Sequence, residues 1–380
     1  MISNQRHLFN IPEDIHYFNC AYMSPLMNIA VEAGHQGVNS KAHPWEITPP
    51  DFFDDSNKAR QLFADLINAQ AKDIALIPSV SYGTAVAALN LPINTGEKIL
   101  ILAEEFPSNI YAWREKAKYQ NASIKTVQRP TDNDWTSAIL EALDEQVRVV
   151  ILPQTHWVDG IQINLELISN ILRKFGCALV LDLTQSLGVV SVDVDIIKPD
   201  FLICASYKWL LGPYSFGFLY AAPKHHQAQP LEQGWVNRPG AENFSRLIDY
   251  TDELNPDASR FDVGERSNIQ LLPIVIAALE QIHKWKPKNI EATLKVYADN
   301  LLERLEEIGF SSCDKAYRSP HYLGVTYKNS LPDNLLQKLS QEKIYISQRG
   351  DHLRISPHLY NNINDTDILI QALQKHLELK

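Results

Sequence analysis

Seven short aliphatic runs separated by segments of helical periodicity constrain this chain more than any other feature. They are Ile74–Ile77, Lys98–Leu102, Ile124–Gln128, Arg148–Leu152, Ala178–Asp182, Phe201–Ala205 and Phe216–Tyr220. Helical spacing of apolar residues fills several of the gaps, at Tyr111–Tyr119, Trp135–Leu143 and Leu165–Phe175. Runs this short and this apolar read as strands buried on both faces, and their alternation with helices predicts a mainly parallel seven-stranded sheet covered on each side. After Pro223 the rhythm gives way to a polar, loop-rich segment, His225–Asn268. Loops of that length inside a compact chain are commonly functional or interface-forming. Helices at Leu271–Trp285 and Ile290–Ile308 follow, then strands at Leu323–Tyr327, Ile344–Ser347 and Leu353–Ser356, and a last helix from Thr366. The expectation is an α/β chain with a large domain over residues 17–254 and a smaller α+β domain over 255–380, which the lead-in 1–16 joins.

Composition removes several function classes. A formal charge of -10 and a pI near 5.6 speak against nucleic acid or an anionic membrane as main partner. No apolar stretch approaches membrane-spanning length and the first residues lack a signal-like core, so a cytoplasmic protein is expected. Cys20, Cys177, Cys204 and Cys313 form no CxxC pair, and the twelve histidines show no HExxH spacing, so no metal site is expected. The absence of GxGxxG after the first strand counts against a nicotinamide dehydrogenase.

Chemistry enters at ICASYKWLLGPYSFGF, residues 203–218, where Lys208 stands between a strand and a glycine-containing run. A partly desolvated lysine has a lowered pKa and can form an imine with a carbonyl cofactor. Taken alone, a lysine beside an apolar run is usually a snorkelling surface residue. Upstream, ALVLDLTQSLG places Asp182 at the end of another aliphatic run. A carboxylate there either caps the next helix or faces a cation such as a pyridinium nitrogen. An acid at the ring nitrogen and a lysine at the aldehyde are what pyridoxal 5'-phosphate requires, and both sit at strand ends, where α/β sheets bind ligands.

DLTQS with Asp182 and Gln185, and SYKWLLGPYSFGFLY with Tyr207 and Lys208, resemble the class V aminotransferase group of fold-type I pyridoxal-phosphate enzymes. That group includes cysteine desulfurases, selenocysteine lyases, kynureninases and isopenicillin-N-epimerase-like proteins, and the likeness runs from YFNCAYMSPL to LRISPHLYN. The resemblance implies a phosphate cup at Ser81, Tyr82 and Gly83 in PSVSYGTAVAAL, beside a helix start whose amides and dipole favour an anion. It also implies Tyr207 on the phosphate, Phe106 of EEFPSNIYAW stacked on the pyridine face, and Gln185 on the phenolic oxygen. Asp159, in THWVDG, stands where the family often has asparagine and is carried as a cofactor contact. Arg354, in GDHLRISPHLYN, matches the family's arginine for the substrate α-carboxylate, a task its rigid fork suits. Ser267 of RFDVGERSN, with Arg266 beside it, stands where relatives reach the phosphate of a neighbouring subunit, which implies a homodimer.

One departure narrows the reaction. The run IYISQRGDHLR, residues 344–354, lacks the cysteine that desulfurases carry there, so a persulfide-forming desulfurase is not expected. The resemblance implies an enzyme acting on a small α-amino acid through a Lys208 aldimine and a quinonoid intermediate, as an aminotransferase or β-lyase. Epimerase or racemase activity, a cysteine or selenocysteine lyase, and a non-catalytic cofactor-binding regulator are the alternatives. Asn19, Tyr22 and His156 are further candidates for an acid or base.

Overall fold

The computed structural model describes residues 1–378. Its centre is a seven-stranded sheet built from β1 (Ile74–Ile77), β2 (Lys98–Leu102), β3 (Ser123–Val127), β4 (Val147–Pro153), β5 (Ala178–Asp182), β6 (Phe201–Ala205) and β7 (Gly217–Ala221), in the order β1-β7-β6-β5-β4-β2-β3. Only the pairings made by β7 are antiparallel. All seven strands expected for this sheet are present, within a residue or two at their ends.

The alternation of side chains across a strand explains why these runs are apolar throughout. Leu100 and Leu102 of β2 join one apolar layer, with the helix Asp54–Ile67, while Ile99 and Ile101 join the opposite layer, with the helices Val80–Asn90 and Tyr111–Gln120. Both faces are therefore removed from water, and no polar alternation remains to be read. The helix Leu165–Phe175 starts where Asn164 accepts a hydrogen bond from the Leu167 amide at 3.0 Å, and buries Leu165, Ile168 and Leu172 along one stripe.

A second, four-stranded antiparallel sheet orders Ser347–Arg349, His352–Ile355, Leu323–Tyr327 and Phe310–Ser311, with its own apolar cluster. The run expected as one strand over 344–347 is divided. Ile344–Tyr345 pairs in parallel with His16–Tyr17, whereas Ser347–Arg349 pairs with His352–Ile355. The first pairing fastens the N-terminal lead-in to this second unit, and His16 adds a 2.7 Å contact to Asp365. The helix Leu272–Trp285 packs against Asn28–Ala42 and Asp54–Ile67, in the apolar layer of the large sheet. The segment after β7 is loop and 3-10 turns, with Ile248 and Tyr250 largely exposed. Among the described residues, no helix is long and apolar enough to cross a membrane.

Candidate active site

The adjacent parallel strands β5 and β6 run in register, Asp182 opposite Ile203, so their carboxyl ends open on the same edge of the sheet. Asp182 ends β5, and Lys208 lies three residues beyond the end of β6. The lysine turn is held shut by hydrogen bonds within it. Ser206 Oγ reaches the carbonyls of Pro213 at 2.6 Å and Phe216 at 2.9 Å, and the Gly212 amide donates to Ser206 O at 2.8 Å. Gly188, at φ +103°, lets the turn lie close: a Cβ there would stand 2.4 Å from the Trp209 carbonyl. From the other side the Ser24 amide donates to Tyr207 O at 2.9 Å.

Six of the residues expected at a cofactor line one cavity of about 250 Å³: Ser81, Phe106, Asp182, Gln185, Tyr207 and Lys208. Lys208 is buried, with its Nζ 5.5 Å from the Phe106 ring centre and 5.6 Å from that of Tyr207. Burial brings its ammonium down to about 8; Asp182 opposes that shift and Arg354 adds to it. No ion pair within 4.0 Å joins Lys208 to Asp182, so the two groups face the cavity separately. Asp182 is held by the Asn109 amide, which donates to Oδ2 at 2.8 Å, and by the Thr184 N–H, which donates to Oδ1 at 2.9 Å.

Gln185 is fixed by donating from Nε2 to Ala21 O at 3.1 Å and by accepting from Trp209 Nε1 at 3.1 Å. Its second amide hydrogen stays available to the cavity. The Tyr207 hydroxyl is pushed up to about 12 by burial and so remains a donor. At the start of the helix Val80–Asn90, Ser79 caps by accepting from the Tyr82 amide at 3.2 Å, and its Oγ lies 2.9 Å from that of Ser81. The Val80 and Ser81 amides have no intrahelical acceptor, which leaves donors for an anion.

The remaining expected residues lie outside the cavity wall. The Tyr82 hydroxyl is buried without a partner among the described residues. Gly83 serves packing: a Cβ would come within 2.9 Å of Ile77 and 3.0 Å of Ile203. Asp159 ion-pairs with Arg129, accepts from the Ile161 amide at 3.0 Å and lies 3.4 Å from His156 Nδ1. Although burial acts against it, His156 and Arg129 hold its carboxyl well below the usual range. Ser267 donates to the Phe52 carbonyl, and Arg266 lies 2.9 Å from Asp262 with its guanidinium over the Phe53 ring. Arg354 is fully buried and donates to Ser347 Oγ at 2.9 Å and to the Trp157 carbonyl at 3.0 Å. It meets the cavity through Trp157, whose ring lines it.

The structure adds residues that the motifs left aside. Asn109 Nδ2 lies within reach of two buried carboxyls, Asp182 at 2.8 Å and Glu105 at 3.4 Å. Glu105 lines the cavity, accepts from the Phe106 amide at 2.6 Å and keeps Oε2 unpartnered. Burial pushes it up to about 7, and the nearby Asp182 adds to that while His156 acts against it. The four-residue spacing of Glu105 and Asn109 in EEFPSN was the available signal. His156, by contrast, is buried between Asp159 and Glu105, stacked on Trp135.

These donors fit pyridoxal phosphate. A buried amine near neutrality and a hydrogen-bonded carboxylate face one cavity without pairing, an aromatic ring adjoins the amine, and free helix amides lie at one end.

Comparison with known proteins agrees with that geometry. An uncharacterized aminotransferase of Schizosaccharomyces pombe is 24% identical over 380 residues, covering 96% of this chain and 92% of its own. A kynureninase of Geobacillus thermodenitrificans is 23% identical, covering 91% and 82%. Among solved structures, a C-DES variant with glycine covalently linked to its PLP cofactor superposes with a TM-score of 0.89 at 20% identity, over 98% of this chain and 100% of that one. An apo cysteine desulfurase of Thermococcus onnurineus gives 0.87 at 17% identity, covering 100% and 99%. The model of the aminotransferase class-V family matches residues 48–367, and the chain belongs to that family, with the fold-type I architecture.

Proposed function

We propose that the protein is a pyridoxal-phosphate-dependent enzyme acting on a small α-amino acid, as an aminotransferase or β-lyase. One observation carries this reading: Lys208 and Asp182 line one cavity without an ion pair between them. The cofactor is pyridoxal 5'-phosphate, which supplies an aldehyde that condenses with amines and a ring that draws electrons from bonds at the substrate α-carbon. Lys208 Nζ, lowered to about 8, is partly unprotonated near neutral pH and so can bind the aldehyde and later take the α-proton. Asp182, oriented by Asn109 and Thr184, would accept the hydrogen of the ring nitrogen and keep that nitrogen cationic. Phe106, which lines the cavity with its ring centre 5.5 Å from Lys208 Nζ, would cover the ring and exclude water. Ser81 and the free amides of its turn hold the phosphate, with Tyr207, Tyr82 and Gly83 assigned there as well.

Arg354 binds the substrate α-carboxylate. Ser267, which lies away from this cavity, is assigned to the phosphate of a second copy in a homodimer, and Asp159 acts by orienting Arg129 and His156. We place the enzyme in the cytoplasm. Persulfide formation on the enzyme is not part of this reading. None of the cysteines lines the cavity, and Cys20 and Cys204 are buried with thiols pushed upward by burial.

Borohydride reduction followed by peptide mass mapping tests the assignment, and the expected adduct lies on Lys208 alone. A panel of amino acids assayed for keto acid, ammonia and sulfide then names the reaction. An adduct elsewhere would sink the role of Lys208.

A further inference from the structure

The strand Ser347–Arg349 pairs antiparallel with His352–Ile355, placing Ser347 opposite Arg354 and Arg349 opposite His352. Residues two apart share a face of a strand, so Arg349 projects from the same face as Ser347 and hence as Arg354, its diagonal neighbour. Both guanidiniums converge on one indole: the Arg349 Cζ is 5.6 Å and the Arg354 Cζ 5.9 Å from the Trp157 ring centre. That ring lines the cavity holding Lys208.

Like charges so placed repel unless an anion lies near. Among the described residues neither arginine has a carboxylate within 4.0 Å. The nearby acids are taken elsewhere, since Arg129 pairs with both Glu104 and Asp159. The Arg349 side chain makes a single hydrogen bond among the described residues, from Nη1 to the carbonyl of its neighbour Gln348 at 2.7 Å. The other titratable groups around it, His352, Tyr322 and Tyr22, bring no carboxylate. Arg354 is fully buried, which makes an uncompensated charge there costly. An α-carboxylate would satisfy Arg354 and leave Arg349 unmatched.

We propose that Arg349 and Arg354 form a two-anion clamp, and that the preferred substrate is an α-amino acid whose side chain ends in a carboxylate or sulfonate. The inference rests on the amino-acid reading of the Lys208 site. Arg354 takes the α-carboxylate, and Arg349, partly exposed beside Trp157, takes the distal oxyanion.

Titration of the holoenzyme with L-aspartate, L-glutamate, L-cysteate, L-alanine and L-norvaline, followed by the visible band of the cofactor, tests it. At least one acidic amino acid is expected to bind about ten-fold or more tightly than the neutral ones, and the aspartate, glutamate and cysteate arms separate carboxylate from sulfonate. Arg349→Gln should collapse that ratio, and Arg349→Lys should restore part of it. Equal affinity for acidic and neutral amino acids, or an unchanged ratio in Arg349→Gln, would overturn the clamp. A band unmoved by every amino acid would overturn the proposed function instead. Calorimetry with succinate against butyrate needs no reaction and still decides the clamp: tighter succinate supports it, and parity refutes it.

Discussion

The strand ends that line the active-site cavity and the arginine pair behind Trp157 are built on different electrostatic terms. At the strand ends of the large sheet, Asp182 is satisfied by Asn109 and Thr184, while Glu105 has one oxygen on a backbone amide and is pushed up to about 7 by burial, which disfavours its charge. On the second sheet, which meets the cavity through Trp157, Arg349 and Arg354 have no carboxylate within 4.0 Å among the described residues. The first end is organised before anything binds, and it needs only the cation of a ring. The second is left positively charged, which suits groups that arrive and depart. A resident cofactor rewards preorganisation, whereas a passing substrate rewards a charge deficit that binding removes.

Three substitutions probe the organised end of that contrast. The largest expected effect is on Asp182→Asn, which removes the acceptor that keeps the ring nitrogen cationic. Turnover should fall at least about a hundred-fold and cofactor retention should weaken, measured by steady-state rates and absorbance per chain. Retained turnover would show that this end does not depend on its carboxylate.

Glu105→Gln has the next effect, and it depends on pH. The folded carboxyl is raised from 4.5 to about 7, so the folded state binds the extra proton in that interval. Stability is full below the lower value and is lost as pH rises to the upper one. Urea unfolding at pH 5 and pH 8 should show the wild type losing about 2.5 kcal/mol that Glu105→Gln does not lose. The smallest effect belongs to Ser79→Ala, which deletes the cap of the phosphate-cup helix at a cost of about 1 kcal/mol in thermal or urea unfolding. It should leave the acid preference assigned to Arg349 unaltered, because that preference belongs to the other end.

Much of this was legible from the chain alone, and the misses share a cause. The helix Asn28–Ala42 gives little sign of itself, because it carries Gly34 and Gly37 and exposes Ile29, Val31 and Val38. Its glycines are explained by neighbours far along the chain: a Cβ on Gly34 would stand 2.8 Å from Ile274, and one on Gly37 2.4 Å from the Ile269 carbonyl. Likewise, the split of the strand near Tyr345 reflects a change of partner, from His16–Tyr17 to His352–Ile355, which no local pattern records.

The seven core strands, the lysine and the acid at two of their ends, and the pyridoxal-phosphate family were determined by the sequence itself, because apolar periodicity and residue chemistry act over a few neighbouring positions. Only the tertiary structure decided that β5 and β6 lie side by side, that Asn109 reaches from one segment to Asp182 in another, and that Arg349, Arg354 and Trp157 meet. Those contacts join residues from about twenty to nearly two hundred positions apart, and chain folding brings them together through burial and backbone pairing, which leave no mark in the local sequence.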